Sequence, residues 1–147
     1  MSGQMLERRT IGGPGGLATQ RHDGLTGRLR DLVGGLGIAV LAPREGFCVA
    51  PYGEQFKPDL VLVGLPAYAT GLAVVARWQE ASGSADRKLL YDLACIRRSA
   101  APTFLVLDGA GWRPGVWDYL AGEVGGPFLG ALTPDRLAQR LAALLDS

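Results

Sequence analysis

The chain is expected to fold as one α/β domain, a mixed β-sheet flanked by helices. Three observations carry this expectation. Short apolar runs with strand character are interspersed with segments whose apolar residues recur at helical spacing. Several strand-like runs follow one another in the first half, and helices separate them later; that order belongs to a mixed sheet, not a fully alternating parallel one. The length of 147 residues, with 48% hydrophobic and 20% charged side chains, suits a single domain with a real core.

Residues 1 to 23 hold Gly12, Gly13, Pro14, Gly15 and Gly16, which regular elements tolerate poorly. This segment is read as a flexible arm, and residues 24 to 147 as the domain. The glycine run has no strand before it and no Lys-Ser/Thr pair after it, so it lacks what a phosphate loop needs. Over residues 1 to 30, five arginines stand against Glu7, Asp23 and no lysine. Such a surplus suits a phosphate backbone or an acidic partner.

Leu25, Leu29, Leu32, Val33 and Leu36 predict a helix over 24–36, with Gly37 as its C-terminal stop. Ile38 to Leu41 and Phe47 to Ala50 flank the turn Pro43-Arg44-Glu45-Gly46 and predict a hairpin. Strands are expected at 59–63 and 72–76. The eight residues from Gly64 to Gly71 are too few for a crossover helix, so these two strands should pair antiparallel. A helix over 86–98 has Ser84 as N-cap and turns Leu89, Leu90, Leu93, Ala94 and Ile96 inward. A strand over 103–107 ends at Asp108-Gly109. A short helix over 116–120 and a short strand at Phe128-Leu129 follow. Thr133-Pro134-Asp135 opens the last helix, whose apolar face is Leu137, Leu141, Leu144 and Leu145.

The net charge is +1, so attraction to nucleic acid would have to come from a local patch. Cys48 and Cys95 lie inside apolar runs and read as buried thiols. No apolar run reaches the length of about 18 residues that a membrane span needs, and the N-terminus has no signal-peptide core. A cytoplasmic location is the expectation.

Polar groups cluster where the central strands stop: Asp59 before the first, then Arg77, Trp78, Gln79 and Glu80 after the second. The run Pro58-Asp59, Val75-Ala76-Arg77-Trp78-Gln79, Ser82-Gly83-Ser84-Ala85-Asp86-Arg87-Lys88 and Tyr91 resembles the PD-(D/E)XK nuclease superfamily. Phe104 to Gly109 and Gly111-Trp112 resemble that family's next strand and turn, so the likeness covers residues 24 to 120. It implies a restriction-endonuclease-like core. It also implies a site in which two carboxylates hold Mg²⁺, the metal activates water, and a lysine stabilises charge.

The chain departs from the family motif at its centre. Asp59 is present, but Val75 stands at the usual Glu position and Arg77 at the Lys position. In the first helix, where family members often carry a Glu, the chain reads Thr26-Gly27-Arg28. The resemblance therefore assigns Asp59, Arg77 and Gln79 to a degenerate catalytic motif. Asp59 and Glu80 would be the ligands of any Mg²⁺. Arg77, Lys88, Arg97, Arg98, Arg8 and Arg9 would be the nucleic-acid contacts. His22, the only histidine, falls in the arm and receives no role. Three readings follow. The first is a nuclease-fold protein with a degenerate metal site that binds nucleic acid or serves as an accessory subunit. The second is an active Mg²⁺-dependent DNA endonuclease with a rearranged site. The third is a structural or interaction protein that does not touch nucleic acid. DNA is the expected partner, with a protein partner or a homo-oligomer beside it.

Overall fold

Each strand lies beside its neighbours in sequence. The computed structural model describes residues 14–41, 52–80, 85–99 and 101–146. Helix α1 (Pro14–Gly35) leads into β1 (Ala39–Leu41), β2 (Leu60–Val63), a single 3-10 turn (Pro66–Tyr68) and β3 (Leu72–Trp78). Helix α2 (Ala85–Ser99), β4 (Thr103–Asp108), α3 (Pro114–Gly122), β5 (Phe128–Leu132) and α4 (Pro134–Leu145) complete the order. The sheet runs β1-β2-β3-β4-β5. The first two pairings are antiparallel and the last two parallel. The β2–β3 connection reverses the chain with Gly64 and Gly71 at φ of 92° and 112°, a backbone region open to glycine.

Strand alternation sorts the apolar residues into two layers. Leu60, Leu62, Leu72, Val74, Ala76, Phe104 and Val106 face α1 and α4, whose Leu25, Leu29, Val33, Leu137 and Leu141 fill that layer. Val75, Leu105, Leu107 and Phe128 face α2 and α3, which supply Leu89, Leu93, Ile96 and Leu120. The result is a mixed sheet with helices on both faces.

Two details depart from the sequence reading. Helix α1 starts at Pro14, ten residues before the expected residue 24. Proline suits a first helical position. The docked face of Leu25, Leu29 and Val33 offsets the roughly 1 kcal/mol that each glycine costs in a helix. Residues 1–13, with Arg8 and Arg9, lie outside the described residues, as do Phe47 to Ala50, Cys48 and Ser84. The second detail concerns α2. Leu90 and Ala94, expected inward, face outward, and Leu90 is 55% exposed. The buried arc of α2 is Leu89, Asp92, Leu93, Cys95 and Ile96. A carboxylate turned to the sheet shifts that arc away from Leu90.

Candidate functional site

Asp59 immediately precedes β2. Its N–H donates to the Val74 carbonyl at 2.9 Å, and Leu60 pairs with Val74, so Asp59 lies level with Val75. Residues two apart on a strand share a face, which puts Arg77 beside them. Because β2 begins only at Leu60, the Ala76 N–H points past its end. The Asp59 carboxylate takes that N–H, with Oδ2 accepting at 2.7 Å.

The Arg77 side chain turns back into the protein. Its Nε and Nη2 donate to the two oxygens of Asp92 at 2.8 and 2.7 Å. Its Nη1 donates to the Ala76 carbonyl at 2.9 Å and lies 3.7 Å from Asp59 Oδ2. Asp92 comes from α2 and is 2% exposed. The guanidinium thus sits between two carboxylates. From the other face, His22 on α1 brings Nε2 to 3.0 Å from Asp59 Oδ1, an ion-pair distance.

The charges respond as this geometry demands. Burial by itself would lower the Arg77 pKa, but the bonds and charge of Asp92, with Asp59 behind it, hold it above its ordinary value. Burial pushes the Asp92 carboxyl up, and Arg77 draws it part of the way back. The contact with Asp59 raises His22 above 6.5 against the opposing effect of its own burial.

Tested against Mg²⁺, which takes near-octahedral oxygen ligands, these residues do not fit. Val75 is 1% exposed in the apolar layer and has no donor. The Asp59 oxygens are engaged by Ala76 N–H and His22, and Arg77 occupies the side facing Asp92. Glu80 follows β3 five residues beyond the level of Asp59, about 16 Å away at strand rise. The structure therefore does not bring Glu80 to Asp59. Among the described residues no three His, Cys, Asp or Glu side chains form a metal-holding group.

Gln79 is 6% exposed and ties elements together at the far end of β3. Its amide donates to Asp86 Oδ1 at 2.7 Å and to the Gly111 carbonyl at 3.1 Å. Arg113 Nε donates to Asp86 Oδ2 at 2.9 Å. The bonds from Arg113 and then Gln79 hold the Asp86 carboxyl below its usual range. This network joins β3 to the starts of α2 and α3, away from Asp59.

The expected nucleic-acid contacts are dispersed. Arg97 donates to Glu123 Oε1 at 2.7 Å and to its carbonyl at 3.0 Å. Lys88 and Arg98 are exposed. At 3.6 residues per turn, Lys88 lies about 180° around α2 from Arg97 and about 80° from Arg98. Lys88 shares the flank of Asp92; Arg97 is on the opposite one.

A family model for a PD-(D/E)XK nuclease superfamily domain matches residues 50–140. The chain belongs to the PD-(D/E)XK nuclease superfamily. The mixed five-stranded sheet flanked by helices agrees with the restriction-endonuclease-like core of that superfamily. Neither the curated proteins nor the solved structures yield a match. Within the superfamily match lie Asp59, Val75, Arg77, Gln79 and also Asp92, which the sequence reading missed. Its signal was a carboxylate in the apolar arc Leu89, Leu93, Ile96. His22 lies outside the match, and no spacing pointed to its contact with Asp59.

Proposed function

We propose that this chain is a nuclease-fold protein that binds and docks but does not cleave: a nucleic-acid-binding or accessory subunit of an assembly. The observation that carries this reading is the Arg77 guanidinium seated between Asp59 and Asp92, with Val75 opposite Asp59. In a phosphodiesterase of this superfamily a cation at that position would be a metal with open coordination sites for water and phosphate. An arginine stays protonated, so it neutralises carboxylates but neither activates water nor acts as a base.

The test is calorimetry with millimolar Mg²⁺ together with plasmid nicking. No isotherm and no nicking are expected. A one-site isotherm abolished by Asp59→Ala would overturn the reading in favour of the Mg²⁺-dependent endonuclease. Binding of nucleic acid would run through Lys88, Arg98 and the N-terminal Arg8 and Arg9. Each phosphate contact should then contribute about 0.9 to the salt slope with duplex DNA. The pairing of Arg77 with Asp92 and of the exposed Arg97 with Glu123 favours a second reading, a docking protein without nucleic-acid contact. Binding that is absent at about 50 mM salt would select it.

A further inference from the structure

On the flank of α2 away from Asp92, a groove opens between α2 and α3. It encloses a cavity of about 440 Å³ floored by Leu89, Leu90, Val116, Tyr119 and Leu120. Its volume is within the range of about 300–1,000 Å³ typical of ligand sites. The mouth carries Arg87 and the Asp86–Arg113 pair, two arginines to one aspartate. The groove is open, and two of the residues that line it are half exposed, Leu90 at 55% and Tyr119 at 49%. Leu90 sits in an apolar sequence pattern, yet the core does not use it.

We infer that this groove docks an acidic amphipathic segment of a partner protein. An apolar side chain of the partner would seat against Leu90 and Tyr119, and a neighbouring carboxylate would meet Arg87. Charge selects the occupant. Both acids of α2 are withdrawn, Asp86 onto Arg113 and Asp92 onto Arg77, so the charge this helix leaves exposed at the groove mouth is that of Arg87. A second copy of the chain, docked through the same face, would set Arg87 against itself. A nucleic acid would satisfy Arg87 but gain little from an aliphatic floor. Leu90 and Tyr119 stand half exposed along an open groove, which a helix face covers more fully than a small molecule does. Helix-in-groove recognition with acidic flanks satisfies all three conditions. The groove shares no residue with the Asp59–Arg77–Asp92 cluster. A Mg²⁺ isotherm would therefore end the non-cleaving reading and leave this one standing.

The test uses the full chain and a labelled helical peptide about four turns long, with leucines at i, i+3, i+4 and i+7 and glutamates elsewhere. Fluorescence anisotropy is expected to give saturable binding with Kd of about 10–100 µM at low salt. Leu90→Glu and Arg87→Glu, both at exposed positions, should each weaken it at least about tenfold with an unchanged urea midpoint. Should Leu90→Glu shift that midpoint, Tyr119→Ser on the opposite wall reads the same contact. A peptide with lysines in place of glutamates should not bind. The inference is overturned by any of three results: no binding at about 1 mM peptide, equal binding of the lysine peptide, or affinity indifferent to the groove substitutions. A single-stranded oligonucleotide that displaces the peptide and itself depends on Leu90 would also overturn it, assigning the face to nucleic acid.

Discussion

Arg77→Met keeps much of the side-chain volume and removes the charge. Asp92, 2% exposed, then loses the two donors that stand 2.8 and 2.7 Å from its oxygens. Breaking a buried pair from one side costs about 3–5 kcal/mol, because the remaining charge is stranded. Domains of this kind are stable by about 5–15 kcal/mol, so the loss is a large share of the total. At about 2–4 °C per kcal/mol, Tm should fall by roughly 6–20 °C. The double variant Arg77→Met/Asp92→Leu leaves no stranded charge and should recover to within about 2 kcal/mol of the natural chain. The single variant should also respond to pH. Without Arg77, burial and the Asp59 charge push Asp92 up against Lys88 alone, and its folded pKa rises further above 3.8. A carboxyl raised in the folded state binds its proton more tightly there than in the unfolded chain. The deficit of the variant should therefore shrink as pH falls through the folded value, and be greatest above it. Urea unfolding followed by fluorescence of Trp78, Trp112 and Trp117, between pH 8 and pH 4, measures all of this. A single-variant loss under about 1 kcal/mol, or effects of Arg77→Met and Asp92→Leu that add within about 0.5 kcal/mol, would refute the pairing.

The single histidine gives a clean NMR titration. His22 should titrate above 6.5, and Asp59→Asn should bring it down. Because its folded pKa is raised, the stability it contributes is complete below the unfolded value of 6.5 and is lost as pH rises through the folded one; His22→Gln should flatten that slope. Gly109→Ala should destabilise by about 2 kcal/mol or more in urea unfolding, since φ is +94° and a Cβ would come to 2.3 Å from the Gln79 carbonyl oxygen; an unchanged midpoint would mean the turn is not as described. Val75→Glu with Arg77→Lys puts an acid and a lysine where the sequence resemblance places the superfamily's pair, and calorimetry should then register Mg²⁺. Any plasmid cleavage it gains should vanish on Asp59→Ala, and cleavage that survives would contradict the place of Asp59 in the site.

Much of the fold was legible because the core residues follow period 2 or period 3.6 and the turns carry glycine or proline. The short Gly64–Gly71 connection alone settled the antiparallel β2–β3 pair. The start of α1 was not legible: Gly12 to Gly16 argue locally against helix, and the packing of Leu25, Leu29 and Val33 outweighs them. In the site, Asp59 and Arg77 were readable from the motif, but their relation was not. Arg77 could be read as a phosphate contact because the sequence does not say where a long side chain turns. What turns it inward is Asp92, fifteen residues on and carried by the next helix. The same carboxylate misled the reading of α2. Hydrophobicity alone turns Leu90 inward with Leu89 and Leu93, whereas the ion pair of Asp92 helps fix which face of the helix meets the sheet.

The agreement of strand order with chain order has a consequence for how the protein is made. Each strand pairs with the one before it, so the sheet can grow in the direction of synthesis, and few long loops must close first. The exception is the layer that covers one face. Leu25, Leu29 and Val33 of the first helix share their cluster with Leu137 and Leu141 of the last. During synthesis that face is half covered until α4 has been made, and the apolar side of β4 and β5 waits for it. A chain stopped before Pro134 would carry a nearly complete sheet with an open hydrophobic face, a form that chaperones hold and proteases clear. The docking of α4 is thus the step that closes this face of the domain.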